Sequence, residues 1–146
     1  MKPNLIRRFG ERVGYDETEL ESFRAGGHRT RHVNRLVGAS SLYSIQAEVV
    51  RSLHCNSGHV KRQKLLMDID GNIITRQCPK RMCIYLVSQL AIAVALINER
   101  LSEGHDPQDF HFMRQVRCLD AGVECLGYGE VMVRVHVVAR EKSHVN

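Results

Sequence analysis

Tryptophan is absent from the 146 residues, and aromatic side chains of all kinds make up 5%. So few flat side chains exclude a wide stacking platform for single-stranded nucleic acid. No helix-turn-helix, zinc-finger or RNP pattern is present, so a nucleic-acid-binding module is the last-ranked reading. The Gly-rich phosphate loop, G-x-S-x-G and H-E-x-x-H are missing as well, which removes the common signatures of phosphoryl transfer, ester hydrolysis and metalloproteolysis. The opening residues, MKPNLIRRFGERVGYDE, carry charges where the apolar stretch of an export signal belongs. The longest uncharged run, residues 82–98, is seventeen residues long and flanked by charge. That is the short limit for a membrane span, and it reads as a buried core helix with no membrane partner. Five cysteines, an odd number, without an export signal imply reduced thiols and a cytoplasmic protein.

Apolar residues at 43% and charged residues at 25% describe one globular domain with an ordinary core. The net charge of +5 permits an acidic partner without demanding one, because the basic residues are spread along the chain. The partners expected are a second copy of the chain, in a homo-oligomer, and a small anionic ligand.

Residues 1–38 read as a separable extension and residues 39–146 as the main domain. In the extension, Asp16 with Glu19 three residues on forms a capping-box pattern, and Gly26-Gly27 stops the helix that follows. HRTRHVNR, residues 28–35, reads as a solvated loop or basic edge. Arg29, Arg31 and Arg35 in it could alternatively clamp a phosphate or carboxylate, whose geometry the guanidinium fork matches.

In the main domain Tyr43, Ile45, Ala47 and Val49 alternate with Ser44, Gln46 and Glu48, the pattern of a half-buried strand. Asp70-Gly71 between two apolar runs signals a hairpin. The run Asp68-x-Asp70-x-Asn72 imitates a calcium loop, but Ile73 stands where Gly is needed and Pro79 where a bidentate Glu is needed. Residues 79–102 read as one long buried helix, with Pro79 at its first position and Cys83, Leu86, Leu90, Ile97 and Leu101 on its apolar stripe. DFHFMRQVRC and GEVMVRVHVVA read as two more strands, the second with Val131, Val133, Val135 and Val137 inward. The fold expected is α+β, a mainly antiparallel sheet packed by one long helix.

With that order, Cys55 and His59 face each other across the turn of HCNSGHV. Cys78 sits at the expected helix N-cap, where the orphan amides favour a thiolate. Cys118 closes a strand. Zinc takes four N or S donors, best supplied by loops at the ends of such elements. Cys55, His59, Cys78 and Cys118 are therefore the candidate ligands of zinc or iron. Asp120 is the candidate for orienting His59 or for acid–base work. Cys83 falls in the core, and His54 is a bystander on the opposite side of the strand from Cys55. A thiol enzyme or redox protein with Cys78 as nucleophile and His59 as base is the alternative.

The runs YSIQAEVVRSLHCNSGH, DGNIITRQCP and VRCLDAG, in that order, resemble a family of short uncharacterised prokaryotic proteins. Its pattern is a Cys-x-x-Gly-His turn, a Cys-Pro at a helix start and a Cys-x-Asp near the last strand. The matching positions are Cys55, Gly58 and His59, then Cys78 and Pro79, then Cys118 and Asp120, within residues 43–139. The segment after the turn, VKRQKLL, departs from the pattern, and the loop after Cys118 is longer than expected. The resemblance implies a fold and a set of recurrent Cys and His positions. It implies no reaction.

Overall fold

The computed structural model describes residues 4–109 and 114–140. Helices α1 (Asn4–Val13), α2 (Glu17–Ala25) and α3 (Gly27–Ser40) precede strands β1 (Tyr43–Leu53) and β2 (Lys64–Met67). Helices α4 (Ile84–Val87) and α5 (Leu90–Ser102) follow, then strands β3 (Gln115–Arg117) and β4 (Glu130–Ala139). The strands form one antiparallel sheet in the order β2-β1-β4-β3. This is the expected α+β architecture.

The core lies between the sheet and α3–α5. Ile45 stands opposite Val137, Ala47 opposite Val135 and Val49 opposite Val133. These six pack with Leu86, Leu90, Ala93, Ile97 and Leu101 of the helices. Each fully buried Ile, Leu or Val contributes roughly 1.5–3 kcal/mol by leaving water, so this face dominates stability. A second, smaller cluster of Ile6, Leu20, Phe23 and Val33 ties α1 and α2 onto α3.

Asp16 caps α2 as expected, accepting from the Glu19 amide while the Glu19 side chain accepts from the Asp16 amide. The stop at Gly26 is also a start. Its carbonyl accepts from Arg29 and Thr30, and residues 28–35 are helical in α3, where a loop was expected. Arginine and histidine do not oppose a helix, and Val33, Leu36 and Ala39 supply its buried stripe. The boundary expected at residue 38 falls inside α3, whose Leu36 and Ala39 belong to the main core.

The long helix also starts later than expected. Proline disfavours helical backbone in the residue before it, and Cys78 is extended at φ −117, ψ 162. Its sulfur bonds the backbone of Leu66, at 3.2 Å from the amide nitrogen and 3.4 Å from the carbonyl oxygen. Cys78 is thus held beside β2, and Cys83, not Cys78, is the N-cap residue of the first helix, α4. The Asp70-Gly71 hairpin shrinks to a tight turn whose far arm makes one bridge, Met67 with Ile73. The strand expected over residues 109–118 is β3 at its end; residues 110–113 lie outside the described residues.

Among the described residues, Ile84–Ser102 alone is long and apolar enough to cross a membrane by length and composition, and 28% of its span is buried. One face packs on the core as expected. The other does not.

On the sheet face away from the helices, Gln46 and His136 are cross-strand partners, and their side-chain nitrogens lie 2.9 Å apart. Burial holds His136 below the ordinary histidine range, helped by Arg134, Lys64 and Arg114 and opposed by Glu48. A neutral ring accepts the Gln46 amide proton at Nε2; a charged ring cannot. The unfolded chain therefore takes up this proton first, and stability is lost as pH falls through about 6.5 towards the depressed folded value. Thermal melts of wild type and His136→Gln should diverge in slope over that window, with the variant losing less stability on acidification.

Truncations test the role of α3. Removing residues 1–26 should leave a folded domain, because α3 stays. Removing residues 1–38 deletes Leu36 and should cost at least about 2–4 kcal/mol, the scale of a lost core leucine. Equal melting temperatures for the two truncations would show that α3 contributes nothing to the main core.

Candidate functional site

The site is built where β1 ends. Val49 pairs with Val133, but Arg51 pairs with Met132, so Val50 is an extra residue, a β-bulge. The side-chain alternation changes phase there. Ser52, opposite buried Val131, comes to the helix-packed face. Arg51 goes to the other face, where Glu130 bridges it and Arg117 at 3.0 Å each.

Ser52 then donates its hydroxyl to the His59 carbonyl at 2.6 Å. Between them the chain reverses through Gly58, at φ 77, whose amide bonds the Cys55 carbonyl. Only glycine takes that backbone without strain. His54 lies past the strand end at φ 49 rather than in extended backbone, and it is exposed.

His59 is 3% exposed. Its Nδ1 is 2.8 Å from the side-chain oxygen of Gln63, and the Val60 amide donates to the same oxygen at 3.4 Å. That atom is therefore an acceptor, which assigns the proton of the neutral ring to Nδ1 and a bare lone pair to Nε2. The Nε2 is buried and has no hydrogen-bond partner among the described residues. Leaving such a group unpaired costs roughly 1–3 kcal/mol.

A cavity of about 90 Å³ opens here, lined by Cys55, His59, Cys83, Cys118, Asp120 and Tyr128 among others. Cys55, Cys83 and Cys118 are half-buried. Cys83 makes no side-chain capping bond to α4. The Cys118 sulfur accepts from the Val131 amide at 3.2 Å and points its thiol at the Asp120 carbonyl, 3.5 Å away. Among the described residues, no group of three His, Cys, Asp or Glu side chains forms a ready-made metal cage.

Asp120 fastens the far wall. Its carboxylate accepts from the amides of Gly122, Tyr128 and Gly129 at 3.0–3.3 Å. The Gly122 bond above all holds Asp120 below the usual carboxylate range; burial, the next-largest effect, opposes it, and the bonds from Tyr128 and Gly129 add to the lowering. The loop closes this tightly because a side chain at Gly127 would collide with the Asp120 carboxylate, and one at Gly129 with the carbonyls of Leu53 and His54.

Of the residues expected from the sequence, Cys55, His59, Cys118 and Asp120 meet at one cavity, and Cys78 does not. Cys83, expected in the core, packs against it and also lines this cavity. A sequence signal existed: residues 78 and 83 carry cysteines five apart around Pro79, so an extended rather than helical stretch there exchanges which thiol reaches the turn. The three arginines do not converge. Arg29 lies over the Phe23 ring, Arg31 is exposed on α3, and Arg35 donates to the Ser102 carbonyl at 2.8 Å and lies 3.9 Å from Glu103.

No family model, curated protein or solved structure matches the chain. The likeness to the short prokaryotic family therefore rests on its motifs alone.

Asp120→Asn should loosen the loop. A carboxylate held below its ordinary value stabilises the fold above about pH 3.9 and loses that contribution as pH falls through the depressed value. Wild type should melt at higher temperature than the variant near neutrality, and the two curves should converge in acid. Coincident curves at all pH values would mean that the three amide bonds contribute nothing.

Proposed function

We propose that the protein binds zinc, or iron in its place, through Cys55, His59, Cys83 and Cys118. The observation that carries this is the buried His59 Nε2, a lone pair with no partner among the described residues, on a histidine that lines one small cavity together with three cysteines. Imidazole ligands are commonly oriented by a hydrogen bond at the other ring nitrogen, and Gln63 supplies that bond to Nδ1. Three thiolates and one imidazole complete a tetrahedron, leaving no open position, which suits a structural metal rather than a catalytic one. The side chains must rotate inward to reach bonding distance, and the thiols release protons as they do so, so binding should weaken in acid. Asp120 sits behind the site and shapes it.

The alternative of a thiol enzyme built on Cys78 and His59 has less support, because the Cys78 sulfur is tied to Leu66 and is not part of the cavity wall. The nucleic-acid reading has less again, since part of the basic run is spent on contacts within the fold.

Titrating metal-free, reduced protein with cobalt(II) or zinc tests the proposal. One equivalent should bind, with cobalt giving the intense near-ultraviolet absorption of thiolate coordination. Metal at a hundredfold excess over Kd should stabilise the fold by about 2.7 kcal/mol. Cys55→Ser, His59→Ala, Cys83→Ser and Cys118→Ser should each lower occupancy and metal-dependent stability together. Cys78→Ser, Cys125→Ser and His54→Ala should leave both intact. Loss of metal in Cys78→Ser with Cys83→Ser silent would restore the ligand set expected from the sequence. Absence of binding by wild type would end the metal reading.

A further inference from the structure

We propose that the open face of α4–α5 is the contact surface of an antiparallel homodimer. Residues from Ile84 to Ser102 are apolar around almost the whole circumference, yet little of the span is buried. A helix that is hydrophobic all round is normally buried all round. At about 100° per residue, Ile84, Ser88, Ala91, Ile92, Ala95, Leu96 and Glu99 share the side opposite the core stripe. All are exposed, Ile84 at 67% and Ile92 at 59%. The face carries no charge until Glu99.

Charge and shape select the occupant. The approach to α4 is basic, with Lys80 and Arg81 exposed, and near the end of α5 the open face presents the exposed Glu99. Glu103 beyond it lies 3.9 Å from Arg35, and Arg100 lies 4.0 Å from Asp109. A second copy related by a twofold axis reverses this order. It brings the partner's Glu99 to Ile84 and the basic pair before it, and sets Ser88 against the partner's Ala95. Ala91 then meets the partner's Ile92, a small residue facing a large one in both directions, as an isologous interface requires. Beside the stripe, a groove of about 530 Å³ runs between α5 and the Asp70–Ile73 turn, lined by Met67, Ile73, Ala91, Val94 and Ala95. It offers room for side chains from the partner's helix. A bilayer would instead leave Glu99 in an apolar surface without a counter-charge, whereas a second copy supplies one. The apolar centre with charge confined to its ends has the layout of a protein interface.

Sedimentation equilibrium of the full chain under reducing conditions reads the outcome directly. Wild type at micromolar concentration should have twice the chain mass of 16.6 kDa. Ile92→Glu and Ser88→Arg, both at exposed positions, should raise the dimer dissociation constant by at least about 30-fold. Neither should alter the far-ultraviolet circular dichroism. Glu99→Lys should also weaken the dimer, and combining it with Lys80→Glu and Arg81→Glu should restore it. That rescue keeps the test decisive if one of the apolar-face variants fails to fold. A wild type of single-chain mass at all concentrations overturns the proposal, as does a dimer indifferent to these substitutions. So does a single-chain wild type that co-sediments with phosphatidylcholine–phosphatidylglycerol vesicles and loses this in Ile92→Glu, because the face would then belong to a membrane.

Discussion

One unpaired residue in β1 sets the geometry of everything near the cavity. Without the bulge at Val50 the strand would keep its alternation, and Arg51 would stand opposite Val131, on the buried face of the sheet. Placing that guanidinium against the valines would cost several kcal/mol unless it found a counter-charge. With the bulge, Arg51 reaches Glu130 on the far face, and Ser52 takes the inward position. The Ser52 hydroxyl then holds the carbonyl of His59. The turn that carries Cys55 and His59 thus hangs from a phase change in the strand before it. The same phase change lets β4 begin beside the end of β1, where Gly129 meets the carbonyls of Leu53 and His54 with no room for a side chain.

The turn is fixed at its other end by Gln63. Because one amide oxygen takes both the Val60 amide and the His59 ring proton, the imidazole has one orientation and one tautomer. A surface histidine would exchange its bonds with water. This one has been withdrawn from water without a partner among the described residues for its second nitrogen, and the rest of the fold offsets the penalty. The valine and isoleucine ladder of β1 and β4, which is almost fully buried, supplies the stabilisation that outweighs this cost.

What the sequence made legible follows the reach of each signal. Strands β1 and β4 were readable because strict alternation has no competing explanation, and the α2 cap because its chemistry is local. The turn of Cys55 and His59 was readable because Gly58 marks the reversal. The helix in HRTRHVNR was missed because its buried stripe, Val33, Leu36 and Ala39, begins near the end of the basic run and is completed by two different cores. Cys83 lines the cavity and Cys78 does not, for a longer-range reason. Pro79 was compatible with a helix start, but Cys78 before it is extended and its sulfur is bonded to Leu66, twelve residues earlier. The Val49-Val50 doublet was visible, but a doublet alone does not distinguish a bulge from a strand end.

The start of α4 belongs to both surfaces. Cys83 faces the cavity, Tyr85 lines it, and the Tyr85 carbonyl accepts from the Leu119 amide beside Cys118. Ile84, between them, is turned out to solvent at the head of the apolar stripe. Alternate side chains of three consecutive residues thus point to the site and away from it. A short helix without a side-chain cap has little to hold its first turn by itself, so its order depends on what Cys83 and Tyr85 are attached to. A ligand drawing on Cys83 and a partner covering Ile84 would both act on this one turn. Any coupling between them would be equal in free energy in both directions, and this first turn is the segment that touches both the cavity and the open helix face.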